Sequence, residues 1–519
     1  MPYSLLDEPL FRIRLPDGKH TGATLPEVLA HLSTDDIASF EALQPHQQQP
    51  WYSLLVQLGA LTLARTAHED LPDTPREWHT ALRALADGDA QAWQLVTDDP
   101  AQPAFMQPPI PEGSLKEAKY KDDIPTPDQL DVLITSKSHD VKSTRITAPQ
   151  PEHWTYALVT LQTMEGFLGR GNYGIVRMNG GFGNRPLVGL TPDLAWGPRF
   201  RRDVKVLSDA RGDLLDRYDA QGPMLLWTEP WGGAKDEAIY LYDCDPYFVE
   251  ICRRIRFTTN DDGSLRCWRA NTKGQRLDAP DSLNGMTGDP WTPVDKGEGK
   301  ALTLGEAGFT YQKLHDILLG EDYERPPALQ LQSGETNSMY LVARTLVRGQ
   351  GKTDGLHHRI VPVPSTVTAF LTDNTARDQL AKRAKMRIEK AATVRSKVLY
   401  PALSAVLTGR PDERPDSDQL APWMDAFDRA IDARFFERLW ASVEMEQQAA
   451  QADWQQLLRD EAEAQFNDAK DHAPQSATRY WRAHSSAQSI FQGALRNHLP
   501  ESFPEKDAAE PASVQKAKA

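Results

Sequence analysis

A chain of 519 residues, 40% apolar and 25% charged, has the composition of an ordinary globular protein and the length for two to four domains. Its net charge of −15 counts against a free-standing nucleic-acid binder, whose footprint is a basic excess, and leaves room for local basic islands within a larger assembly. Cys244, Cys252 and Cys267, without a C-x-x-C pair, support neither a disulfide framework nor a cysteine zinc site. No apolar run reaches the roughly 18 residues of a membrane span, and the first residues lack a basic segment followed by an apolar one, so the expected location is the cytoplasm.

In chain order, residues 5–18 read as a strand ending in a Pro16-Asp17-Gly18 turn. Trp51, Leu54, Leu55, Leu58 and Leu61 share one helix face, and Trp78, Leu82 and Leu85 another. Prolines and lysines between 100 and 127, around Phe105-Met106-Gln107, predict an extended connection. A short strand is expected at 130–134, then a polar loop at 135–145 carrying Lys137, Lys142 and Arg145. After Pro151, Trp154, Leu158, Leu161, Gln162 and Glu165 recur at helical spacing, so a helix enters the glycines that follow. Residues 175–178 and 182–187 flank Asn179-Gly180-Gly181 and predict a hairpin. Arg199, Arg201, Arg202 and Lys205 form one basic cluster and Arg253, Arg254 and Arg256 another, each a solvated face or a binding site.

Mixed short elements continue to about Val363, the clearest being a hairpin with strands at 340–347 and 358–361 and a polar tip. Beyond Pro362 and Pro364, helical periodicity predicts four long helices at 366–408, 419–441, 445–469 and 475–497, the first kinked or split at Pro401. The expected fold class is α+β. A large irregular mixed domain with β-hairpins spans 1–363, a C-terminal four-helix bundle 364–499, and a disordered tail 500–519.

Gly169-Arg170-Gly171-Asn172-Tyr173-Gly174-Ile175-Val176 fits G-x-G-x-x-G-x-V. A dinucleotide fingerprint leaves a strand and opens a helix, the reverse of the flanks expected here. A kinase glycine loop requires a V-A-I-K lysine, H-R-D and D-F-G, and the chain has none of them. Gly351-Lys352-Thr353 imitates the end of a P-loop, but the first glycine of that motif would fall at Leu346. What remains is a backbone stripped of Cβ atoms, with Arg170, Arg177 and Arg185 interleaved. Such a stretch either approaches another polymer closely or serves only as tight turns. No paired carboxylates, metal cluster or Ser-His-Asp arrangement stands out, and His357-His358 lacks an acidic partner, so no catalytic residue, metal or cofactor is assigned.

Leu5-Leu6-Asp7-Glu8-Pro9, Pro103-Ala104-Phe105-Met106-Gln107, the glycine stretch, and Asp289-Pro290-Trp291-Thr292-Pro293 leading to Tyr311-Gln312 together resemble the CasA family. That family is the large subunit of the type I-E CRISPR interference complex, Cascade. Leu10 departs from it, standing where the family usually has tryptophan. The resemblance implies a non-catalytic subunit that recognises the target-adjacent motif (PAM) in double-stranded DNA and starts strand separation for R-loop formation. Guide RNA then reads the target sequence, a division of labour known from another RNA-guided effector. It also implies guide RNA, target DNA and other Cascade subunits as partners, with cleavage by another subunit or a recruited helicase-nuclease, and no membrane.

By the same resemblance, Gly169, Arg170, Gly171, Asn172, Tyr173 and Gly174 meet the motif, and Gln350 with Lys352 forms a strand-separating wedge. Lys137, Lys142 and Arg145 face the guide RNA and the complex, and Arg253, Arg254 and Arg256 lie where the family places a basic finger on DNA. Independently, the run from Arg377 to Lys397 puts Lys382 and Lys385 on one helix as further DNA contacts. Two other readings stay open: an enzyme holding nucleotide phosphates in the glycine loop, and a helical scaffold that contacts only proteins.

Overall fold

Phe11 and Ile13 point inward and Arg12 and Arg14 outward along β1 (Phe11–Arg14), the period-two alternation of a strand with one buried face. Pro16-Asp17-Gly18, with Gly18 at φ 85°, turns the chain into β2 (His20–Ala23). Thr24 and Glu27 cap α1 (Leu25–Thr34) reciprocally, and β3 (Ser39–Phe40) completes a sheet in the order β2-β1-β3. The computed structural model describes residues 3–131, 146–180, 183–349, 352–409, 414–474 and 477–502. The chain divides into one unit made of Met1–Phe309 with Asp316–Thr368 and a second made of Thr310–His315 with Ala369–Ala519.

In the first unit α2 (Gln48–Thr66) is buried on every face from Gln49 to Leu63 rather than along one stripe. α3 (Pro75–Leu85), α5 (Pro151–Met164) and α6 (Trp196–Ala210) all pack on it. Gly59 admits α6, since a Cβ there would stand 2.7 Å from Val204 Cγ2. Trp51 is the centre of this core, with Phe11 and Tyr156 rings each 5.1 Å away.

β4 (Lys121–Ile124), β7 (Arg254–Thr259) and β8 (Leu265–Ala270) form an antiparallel sheet in the order β4-β8-β7. Where a strand was expected from 130, Asp128–Asp131 makes a helical turn, α4, whose Asp131 accepts from Gln47 Nε2 at 2.8 Å. The predicted hairpin after the glycines is also absent: among the described residues no strand lies between α5 and β5 (Leu187–Thr191). Side chains take the backbone groups instead. Val176 N donates to Glu250 Oε1 at 2.8 Å, and the Asn184 amide pairs with both the N–H and the carbonyl of Leu304.

β6 (Ile239–Tyr240) pairs in parallel with β9 (Leu277–Asp278), and β10 (Val294–Asp295) lies between β11 (Lys300–Ala301) and β12 (Tyr323–Glu324). β13 (Met339–Gly349) and β14 (Lys352–Val363) form a hairpin longer than the sequence implied, bulged between Val347 and Arg348, with β5 on the other edge of β13. α7 (Tyr311–Leu318) begins in the Thr310–His315 segment of the second unit. There Tyr311 N donates to Asp432 at 2.6 Å, and its ring lies 4.7 Å from that of Phe435.

The first long helix expected near 366–408 is broken into α8 (Ser365–Thr372), α9 (Asn374–Thr393), a π-helical stretch Val394–Leu399, and α10 (Tyr400–Thr408). Asp373 caps α9 by accepting from Ala376 N at 2.7 Å. Pro401 has no N–H to continue the ladder, and the turn before it widens so that Tyr400 N reaches Arg395 O. α11 (Ser417–Ala441), α12 (Gln447–His472) and α13 (Tyr480–His498) follow, with Phe466 and Phe491 stacked at 4.3 Å. Pro500–Ser502 is a short helical turn rather than the start of a disordered tail, because Arg459 Nη1 donates to Ser502 O at 3.0 Å; 503–519 lie outside the described residues. No helix among the described residues is long and apolar enough to cross a membrane.

Candidate nucleic-acid interface

The glycine stretch leaves α5 as a tight loop. Leu168 N and Asn172 O pair at 2.9 Å, as do Asn172 N and Gly169 O, and Ile175 N returns to Glu165 O at 3.0 Å. Gly169 and Gly171 adopt φ of 108° and 90°, where L side chains are strained. Gly174 is required for another reason: a Cβ would overlap the Gly166 backbone at 2.5 Å. At Gly171 a Cβ would press on Asn271 at 3.1 Å, whereas at Gly169 nothing lies within 4 Å. Gly169 and the exposed Arg170 are therefore the open side of the loop, and Gly171 and Gly174 are its packed side.

Two buried polar side chains hold this loop from beneath. Arg253 bridges its ends, donating to Gly166 O at 3.0 Å and, from its other terminal nitrogen, to Tyr173 O. Gln162, wholly buried near the end of α5, donates to Met106 O and Arg253 O at 2.9 Å each and accepts from Cys252 N and Arg253 N. It thereby joins the loop's base to the Phe105-Met106-Gln107 segment. Gln107 is equally enclosed, donating to Leu95 O at 2.9 Å and accepting from Phe257 N at 2.7 Å. The motif that looks most specific in the sequence is a structural rivet.

The same applies to Asp289-Pro290-Trp291. Asp289 Oδ2 receives Arg185 Nε at 2.6 Å, and the Trp291 indole donates to Asp203 Oδ2 at 3.0 Å. Burial raises the Asp289 carboxyl, but Arg185 and Arg177 more than offset this and leave it below the usual range. Glu250 lies in the same buried network, where burial outweighs the pull of Arg177 and pushes its carboxyl up to about 7.

Arg253, Arg254 and Arg256 correct the expectation of an exposed basic finger, since all three are buried. Arg253 serves the loop. Arg254 lies over the Tyr120 ring at 5.0 Å, and Arg256 holds Asp99 O at 3.1 Å and Gln102 O at 2.9 Å, with burial lowering its pKa to about 10. The period-two strand β7 hides charge here because backbone carbonyls of the 97–102 turn solvate it internally. Sequence reading missed the exposed cations beside the loop. A cleft of about 540 Å³ is lined by Lys119, Lys121, Arg254, Arg269 and Lys273, opposed by Glu112, Glu117 and Glu237. Asn271 belongs to this lining and touches Gly171, and Thr272 N donates to Gly171 O at 3.2 Å, so cleft and loop are contiguous. These residues come from separate strands and turns, and no spacing in the sequence brings them together.

Lys352 opens β14, paired with Gly349, and Gln350 lies outside the described residues, as do Lys137, Lys142 and Arg145. In the second unit Lys382 and Lys385 are exposed on α9, while Arg387 beside them is buried against Trp454 at 5.2 Å. Among the described residues no group of His, Cys, Asp and Glu side chains is arranged to hold a metal.

No protein-family model and no curated protein sequence matches the chain. Solved structures do. CasA of Thermus thermophilus matches with a TM-score of 0.64 at 16% identity, over 96% of this chain and 100% of that one. Cse1 of Thermobifida fusca gives 0.63 at 16% identity over 97% and 99%, and the CRISPR-associated protein Cse1 of Acidimicrobium ferrooxidans 0.62 at 16% over 97% and 99%. Over nearly its whole length, then, the chain has the α+β fold of the CRISPR-associated Cse1/CasA proteins.

Proposed function

We propose that this chain is the non-catalytic large subunit of an RNA-guided CRISPR interference complex, which recognises the target-adjacent motif in duplex DNA and begins strand separation. The observation that carries the reading is a whole-length fold match to Cse1/CasA proteins combined with a glycine loop whose open side is a bare Cα and an arginine. A minor groove about 6 Å wide admits such a backbone, and its degenerate pattern of acceptors makes tolerant motif recognition the expected outcome. The adjoining cleft supplies Lys119, Lys121 and Lys273 for flanking phosphates. Gln350 and Lys352 at the hairpin tip would hold the first pair open at a cost of about a few kcal/mol, offset by backbone contacts along the R-loop. Lys137, Lys142 and Arg145 would face the guide RNA. The arginines at 253, 254 and 256 act as internal supports.

The test is motif-dependent binding by the complex reconstituted with guide RNA and its other subunits. Gly171 is packed and strained, so its replacement would disturb the loop itself; Arg170→Ala probes the open side without that cost. The variant should bind target duplex more weakly, with a salt slope lower by about one unit. Affinity and slope both equal to the parent's would sink the proposal. Truncating Gln350 and Lys352 together should slow opening of an intact duplex and matter much less on a target already mismatched beside the motif.

A further inference from the structure

Trp481 is 82% exposed at the start of α13, the largest exposure of any large apolar side chain among the described residues. Tyr480, 39% exposed, meets it edge-on with ring centroids 5.3 Å apart, and lies 4.0 Å from the His484 ring. This aromatic group does no packing work: the buried positions of α13 are Ala483, Ala487, Phe491 and Leu495, on the other face of the helix.

Its surroundings are cationic. Arg479 and Arg482 are both exposed on either side of Tyr480-Trp481, and no Asp or Glu occurs from 472 to 500 in a chain of net charge −15. From α12, Lys470 and Asp471 face His484, one of each sign. A protein-docking tryptophan would be expected within further apolar surface, but the exposed neighbours here are Thr478, Ser485 and the two arginines. Exposed aromatic rings interleaved with arginine are the arrangement by which proteins hold single strands, bases on the rings and phosphates on the cations.

We propose that the start of α13 is a stacking platform for single-stranded nucleic acid, with a base on the Trp481 indole and flanking phosphates on Arg479 and Arg482. The contact rests on α13 alone and is independent of the glycine loop. Stacking accepts any base, so the platform is expected to hold strand without reading sequence.

Fluorescence anisotropy of the full chain with labelled oligothymidylate and oligouridylate of about 15 nucleotides, a length covering a typical single-strand site, tests this. Trp481→Ala should weaken binding about tenfold or more, and Trp481→Phe should recover most of it. Arg479→Ala with Arg482→Ala should flatten the salt dependence by about one unit of slope. Tighter binding of the DNA oligomer identifies a displaced DNA strand as the source, and of the RNA oligomer a guide. Because Trp481 is exposed, thermal unfolding should be the same for all variants. No binding by the parent, or Trp481→Ala binding within twofold of it, overturns the platform. Motif discrimination by the parent complex is scored separately: its absence would defeat the proposed function and leave the oligonucleotide result standing.

Discussion

At the scale of single residues, the consequential side chains of the first unit are buried and polar. Gln162 satisfies two carbonyls and two N–H groups that have no access to water. Gln162→Leu fills the space but orphans them, and should lower unfolding free energy by about 2–4 kcal/mol in denaturant titration. Glu250 leads to a pH prediction. Its folded value of about 7 lies above the ordinary carboxyl value near 4.3, so the folded chain keeps a proton that the unfolded chain has released. The stability this group contributes is full below that ordinary value and is lost as pH rises through about 7, roughly 2–3 kcal/mol in all. Glu250→Gln should remove this slope from the unfolding midpoint measured between about pH 4 and pH 7; an identical slope in parent and variant would contradict the assignment. Asp289 tilts the other way, its contribution present above the ordinary carboxylate range and lost on acidification. Neither glutamine nor glutamate was legible as a support in the sequence. Phe105-Met106-Gln107 and Asp289-Pro290-Trp291 stood out as motifs, but a motif marks constraint without saying whether packing or chemistry imposes it.

At the scale of elements, the sequence was readable where periodicity is local and unreadable where side chains replace backbone pairing. α2, α3, α5 and the β13–β14 hairpin lie where their patterns put them. The hairpin expected after the glycines failed because Glu250 and Asn184, distant in sequence, satisfy the backbone that a partner strand would have paired. The weakly marked end of α11 near Ser442 is fixed in the same manner, by Arg383 donating to the Ser442 carbonyl. Of the candidate interface, the glycine loop was visible and its cationic cleft was not. Arg253 is the loop's strut. Arg253→Met should leave the helices folded yet speed hydrogen exchange of the 166–174 amides by tenfold or more, the effect expected when a local opening costs ~1.4 kcal/mol less. Unchanged protection there would mean the loop holds itself.

At the scale of the whole molecule, two units share one chain that passes between them more than once. The C-terminal helices have their own core in Phe427, Ile431, Leu439, Leu458 and Phe466. A fragment of 369–502 should therefore be helical, but it lacks the Tyr311 ring that packs on Phe435. Fusing 309–316 to it through a flexible linker should raise its stability by about 2 kcal/mol, read as a higher thermal midpoint, since that is the worth of burying one large ring. Equal midpoints would assign Thr310–His315 no part in the second unit's stability. The same segment imposes an order on biosynthesis. Tyr311 leaves the ribosome well before Phe435 and Asp432 are made, so it waits in water while β13 and β14 are added behind it. A product released at Thr368 would carry that unsheathed ring as an adhesive spot for chaperones, one that the completed chain withdraws.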